Sequence, residues 1–242
     1  MTRWMMSLAL LSVLLAPCSS YATNIEVSFG FSDMGSPIVR QDVQSARDLL
    51  HKNVVIQERD YSCGTASLAT LLNYYLGLQV DETEIIKTLL KINEKRGTLE
   101  DIIKRRGFSL LDLKLYAEDQ GLKASGFRLD FEDLVNLQKP ALVPIIPDGF
   151  KHFVVFRGAD RERVYLADPS FGNLIESIDQ FKKDWYGFTN VALIVVPKDD
   201  KKIEKDSLSV SELDKVYAGQ EGIDSFRYYA VSPSRLFIPG EF

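Results

Sequence analysis

The hydrophobic period of this chain changes part-way along, and that change restricts the folds open to it. From Cys63 to Leu76 the apolar residues Leu68, Leu71, Leu72, Tyr75 and Leu76 recur at three- and four-residue spacing, and Gly77 is placed to end the run, the pattern of a buried helix. Asp81, Glu82, Thr83 and Glu84 read as a capping box for a second helix reaching about Ile92. Ser109 precedes a third helix over residues 110–120, closed by Gly121. Beyond Gly121 the pattern becomes one of short β-branched or aromatic runs, at 122–129, 141–146, 153–157, 163–167 and 191–196, separated by Gly, Pro and Asp. Two short helices interrupt them, one after Asp130 and one over 177–184. Helices first and an antiparallel sheet second define an α+β fold.

The N-terminus predicts export. Arg3 is followed by an apolar run from Met5 to Ala16, and Ser20 and Ala22 are small at the positions a signal peptidase inspects, so residues 1–22 read as a secretory signal peptide. The run is well short of the ~20 residues a spanning helix needs. Cys18, after Leu15, Ala16 and Pro17, loosely resembles a lipoprotein attachment site, but the proline fits it poorly. Residues 23–53 then form a lead-in segment, with alternation at Ile25, Val27, Phe29 and Phe31 and a helical stretch at 43–50. Residues 54–197 carry the period change. Residues 198–242 open with mixed charge to Asp206, a linker pattern, and continue as a tail with a short helix near 211–216 and aromatic residues Phe226, Tyr228 and Tyr229.

Removing the signal leaves Cys63 as the sole cysteine, so no internal disulfide can form and the core must hold the domain; 45% hydrophobic residues suffice for that. The formal net charge is −5, with no basic cluster larger than Lys104, Arg105 and Arg106, which argues against a nucleic-acid partner. A lone thiol kept in an oxidising compartment is easier to understand if the sulfur is used.

Cys63 stands where its helix would start, so free backbone N–H groups and the positive end of the macrodipole face the sulfur and favour thiolate. The alternative is a buried structural cysteine. Thiol chemistry also needs an imidazole, a group that orients it, and an oxyanion donor. His152, one of two histidines, heads the strand that continues through Phe153 to Phe156; a polar turn histidine is its plainer reading. Asp168 ends the next run, and if residues 153–167 form a hairpin it returns to the sheet end of His152. Its plainer reading is an Asp-Pro turn with Pro169. Gln57, six residues before Cys63, is placed to join the Cys63 N–H in holding an oxyanion. His51, among charged residues, reads as a solvated surface residue. No metal is expected, because Cys63, His152 and Asp168 have irregular spacing, and no glycine loop points to a phosphate cofactor.

Three separated motifs carry a family resemblance: Gln57 with Tyr61, Ser62, Cys63, Gly64, Thr65 and Ala66; His152 with Phe153, Val154 and Val155; and Ala167, Asp168, Pro169, Ser170, Phe171 and Gly172. Over about residues 54–197 the chain resembles the bacteriocin-processing, double-glycine leader peptidases of the papain-like superfamily. The resemblance implies a papain-like cysteine peptidase fold, with Cys63 as nucleophile, His152 as general base and acid, Asp168 as orienting group and Gln57 as oxyanion donor. It also implies a polypeptide substrate cut after small residues such as Gly-Gly. The best-known members are fused to an export transporter and face the cytoplasm, whereas this chain has no transporter and carries its own signal peptide. It is more similar to stand-alone exported members, among them the peptidase of functional amyloid (Fap) secretion operons of pseudomonads. That placement implies a periplasmic, Gram-negative protein whose client is an amyloid or another secreted polypeptide, with membrane-associated secretion components as further partners. A peptide-binding module that keeps the cleft without turnover, or another acyl transfer by the same thiol, stands beside the endopeptidase reading.

Overall fold

A computed structural model of the chain describes residues 46–187 and 190–198. The signal peptide, the alternation at 25–31, the start of the helical stretch at 43–50, and the linker and tail with its short helix and aromatic patch lie outside the described residues. The helical half comprises α1 (Ala46–Leu50), α2 (Cys63–Leu76), α3 (Glu82–Arg96), α4 (Leu99–Arg105) and α5 (Leu110–Asp119). The sheet half comprises β1 (Leu122–Arg128), α6 (Phe131–Asn136), β2 (Ala141–Ile145), a 3-10 turn at Pro147–Gly149, β3 (His152–Ala159), β4 (Arg163–Asp168), β5 (Gly172–Ser177), α7 (Ile178–Tyr186) and β6 (Val191–Pro197). The α+β expectation holds. Among the described residues no helix is long and apolar enough to cross a membrane.

Local chemistry explains the helix ends. Gly77 and Gly97 take left-handed conformations that close α2 and α3, and the following N–H groups reach back into the last turns, Leu78 N to Leu72 O over six residues and Thr98 N to Asn93 O over five. Helix α3 runs four residues past the expected Ile92. The polar Asn93 hides this extension from a hydrophobic pattern, yet it is fully buried: its Nδ2 donates to Leu89 O at 3.0 Å and its Oδ1 accepts from Thr98 Oγ1 at 2.6 Å. The side chain of Asp81 caps α3 through Thr83 N, and the reciprocal box forms instead at α5, between Ser109 and Asp112. Asp112 does more than cap. Buried to 3% side-chain exposure, it pairs with Arg105 at 3.2 Å and Arg96 at 3.7 Å and so ties α3, α4 and α5 together. Arg105, part of the basic cluster seen in the sequence, is thereby committed internally.

All six strands are antiparallel, in the order β1-β6-β2-β3-β4-β5. Both faces of the sheet are covered. Leu142, Val155, Ala167, Leu193 and Val195 pack with α2, α3 and α5, while Val143, Val154, Phe156, Val164 and Leu166 pack with Phe131 of α6 and with Phe181 and Trp185 of α7. The registers Val155↔Ala167 and Phe156↔Leu166 keep each set on its own face, and double coverage explains why the central strands read as continuous apolar runs. Each fully buried leucine of α2 (Leu68, Leu71, Leu72) contributes roughly 1.5–3 kcal/mol relative to exposure.

Strand β5 was not expected from the sequence. Its residues lack alternation, but β4 offers a full edge, and pairing runs from Arg163↔Ser177 to Asp168↔Gly172. Gly172 starts β5 with φ +90°, and a Cβ there would strike the carbonyl oxygen of Leu50 and approach His51 Cδ2 at 3.0 Å. Asn173, fully buried, donates to Leu49 O at 3.2 Å and Lys52 O at 2.9 Å, so the end of α1 and the turn after it lie directly on the β4–β5 turn. His51 is accordingly half-buried rather than solvated, correcting the surface reading. Gly172→Ala combines backbone strain with a clash against fixed backbone, and should lower unfolding stability by about 2–4 kcal/mol. Denaturant unfolding checks this; an unchanged midpoint would show that the contact with Leu50 yields freely.

Candidate active site

Cys63 is the first residue of α2, and a closed network sets the loop that delivers it. Ser62 is fully buried; its Oγ donates to Arg59 O at 2.8 Å and accepts from Arg59 N at 3.2 Å. With its hydroxyl committed backwards, Ser62 makes no side-chain cap, so the first N–H groups of α2 have no side-chain acceptor from the N-cap residue. Two contacts seat the helix against the sheet. Gly64 lies so close to Leu113 and Phe153 that a Cβ would stand 3.2 Å from each, and Ser67 Oγ donates to Phe153 O at 2.9 Å. Both touch the residue next to His152.

The β3–β4 hairpin supplies the imidazole and the carboxylate. Continuing the Val155↔Ala167 register brings Asp168 one diagonal step from His152, and His152 Nε2 meets Asp168 Oδ2 at 3.1 Å. The second carboxylate oxygen, Oδ1, accepts from Ser170 N at 2.7 Å and Phe171 N at 3.1 Å. The two sequence readings of Asp168, orienting carboxylate and turn former, are therefore both true, one on each oxygen. With Nε2 engaged, Nδ1 is the ring nitrogen left for Cys63, which lies within hydrogen-bonding reach of the imidazole and is itself half-buried. Burial pulls the imidazolium down, but the charge and hydrogen bond of Asp168, followed by those of Cys63, outweigh it and raise His152 from 6.5 to about 10.

Gln57 stands against the turn that follows Asp168. Its backbone N–H donates to Pro169 O at 2.8 Å, its Nε2 donates to Arg59 O at 3.0 Å, and its Oε1 accepts from Ser170 Oγ at 3.0 Å. The structure thus brings His152, Asp168 and Cys63 together and links Gln57 to the same turn. Sequence reasoning missed two neighbours. Ser170 belongs to the motif at residues 167–172, but nothing in the sequence marks its hydroxyl as part of the site. Glu176, on the unforeseen β5, is pushed up to about 7 by burial first and then by Asp184 and Asp168, with His152 acting in the opposite sense.

A thiol beside an imidazole held by a carboxylate can perform nucleophilic acyl transfer. Comparison with known proteins gives that chemistry a family: residues 51–200 match the Peptidase C39 family. The chain belongs to it. It is a cysteine peptidase, and its substrates are polypeptides. It is 35% identical over 187 residues to a Pseudomonas fluorescens protein named "Probable functional amyloid protease FapD", covering 77% of this chain and 78% of that one. A protein of the same name from Pseudomonas aeruginosa is 36% identical over 166 residues, covering 68% of this chain and 71% of that one. Among solved structures, a double glycine motif protease from an AMS/PCAT transporter, in complex with the leader peptide, is 27% identical, with a TM-score of 0.47 and coverage of 60% of this chain and 91% of that one.

The raised His152 sets a pH dependence. An imidazolium with its folded value above its unfolded one contributes stability that is fully present below 6.5 and is lost as pH rises through about 10. Peptidase activity should therefore persist between about pH 7 and 9 and fall as pH passes about 10. In Asp168→Asn, which removes the largest attraction on the imidazolium, the alkaline fall should move to lower pH. A kcat/KM profile that falls near the ordinary histidine value in the unaltered enzyme would contradict this.

Proposed function

We propose that this peptidase is a periplasmic endopeptidase that cuts an exported polypeptide after small residues such as Gly-Gly, through a thioester on Cys63. The observation that carries the catalytic assignment is the His152–Asp168 contact of 3.1 Å beside a cysteine at the first position of a buried helix. Cys63 Sγ, as thiolate, attacks the scissile carbonyl carbon; the developing oxyanion lies between the Cys63 backbone N–H and the free N–H of Gln57. His152, as imidazolium, gives its proton to the leaving amine as the C–N bond breaks, leaving the acyl group on sulfur. A water then attacks the thioester while His152 takes its proton, and the acid product leaves with the thiolate restored. Asp168 keeps the ring oriented and stabilises its charged form in both steps.

The names of the two Pseudomonas relatives support an amyloid protein, or a polypeptide secreted with it, as the client. Arg3, the apolar run and the small residues at Ser20 and Ala22 support export. A peptide with Gly-Gly before the cut should be cleaved by the unaltered enzyme and not by Cys63→Ala, while Gln57→Ala should lose on the order of 10²-fold in turnover, as lost oxyanion donors do, yet alkylate with iodoacetamide at the unaltered rate. Equal cleavage after large residues would refute the small-residue preference. Protein recovered from the periplasm should begin at or near Thr23; mass spectrometry showing an intact Met1 or a lipidated Cys18 would refute that processing.

A further inference from the structure

We propose that Ser170 is a positioning residue for catalysis, its hydroxyl holding the Gln57 amide that faces the oxyanion in the orientation the Arg59 carbonyl selects. The inference rests on the reading of Gln57 as oxyanion donor. An amide has an accepting edge and a donating edge of nearly equal shape, and a glutamine side chain rotates freely enough to present either. Here the surroundings leave one choice. The carbonyl of Arg59 can only accept, so the edge 3.0 Å from it must be Nε2; the opposite edge is then Oε1, and the Ser170 hydroxyl 3.0 Å away must donate to it. One N–H of Nε2 is used on Arg59, and the other is the one available to substrate.

Ser170 is itself placed by the catalytic carboxylate. Its backbone N–H donates to Asp168 Oδ1 at 2.7 Å, and the carbonyl of Pro169, between them, accepts from Gln57 N at 2.8 Å. Gln57 is consequently fixed at three points, by Pro169, Arg59 and Ser170, two of them in the turn that Asp168 shapes. The hydroxyl also polarises the amide in a useful sense: donation to Oε1 makes the N–H groups better donors. Asp168 thus reaches two parts of the site, the imidazole by direct contact and the oxyanion amide through Ser170.

Ser170→Ala removes only the hydroxyl and its one solvent-exposed hydrogen bond, because the bond that shapes the turn comes from the backbone N–H, so the unfolding midpoint should move only slightly. With a fluorogenic peptide carrying Gly-Gly before the reporter amide, kcat should fall roughly three- to tenfold, the scale of one net hydrogen bond, while KM and the iodoacetamide alkylation rate of Cys63 stay constant. Ser170→Thr, which keeps the hydroxyl, should restore kcat. In the Gln57→Ala background, Ser170→Ala should cost nothing further, since the amide it positions is gone. If Gln57→Ala lowers kcat but Ser170→Ala does not, or if the two losses multiply in the double variant, the positioning role is wrong although the oxyanion reading stands. If Gln57→Ala itself leaves kcat unchanged, the oxyanion reading falls and the role of Ser170 falls with it.

Discussion

The carboxylate of Asp168 is the constraint on which the site depends. It is almost wholly buried, and an unpaired charge there would cost several kcal/mol, so each oxygen must find donors. One oxygen takes the imidazole of His152 and the other takes the N–H groups of Ser170 and Phe171. Satisfying the charge therefore does two things at once: it orients the ring, and it bends the chain into the turn that holds Pro169 and Ser170 against Gln57. Gly172 completes that turn where no side chain fits under Leu50. A charge that must be paired, in a place reachable only by a particular turn, converts an energetic need into a geometry.

Much of the fold was legible from local periodicity, because helices α2, α3 and α5 and five of the strands each carry their own signal. What was missed had lost its signal to tertiary context. The last turn of α3 contains Asn93, whose buried amide is satisfied by Leu89 and Thr98, so a polar residue sits where the pattern wants an apolar one. Strand β5 has no period of its own and exists because β4 offers unpaired backbone. Helix α4 buries Ile102 alone among its residues and depends on Asp112, which binds Arg105, for its anchorage.

The site was legible to a different degree in each of its parts. Cys63 could be picked out because a helix start is visible in sequence, and Asp168 because a hairpin makes strand ends predictable. Gln57 had only its distance from Cys63 to recommend it, and the turn that binds it lies more than a hundred residues away. Ser170 and Glu176 were invisible for a related reason. Their surroundings are set by the β4–β5 pairing and by α7, neither of which the residues themselves announce. His51 was misread because its charged neighbours say nothing of the fact that its ring lies against Gly172.

The residues of the site also differ in how firmly they are held. Cys63 belongs to a helix in which eleven of fourteen residues are buried, and Gly64 and Ser67 join that helix to β3 beside His152, so displacing the nucleophile means disturbing the core. Gln57 and Ser170 meet in a hydrogen bond open to solvent, where water competes with each partner and one bond is worth only about 0.5–1.5 kcal/mol. The thiol and imidazole are thus set by packing, which is stiff, and the oxyanion amide by exposed polar contacts, which are soft. Three contacts on Gln57 compensate for what any one of them lacks, and because two come from the Asp168 turn, the softer half of the site inherits its placement from the stiffer half.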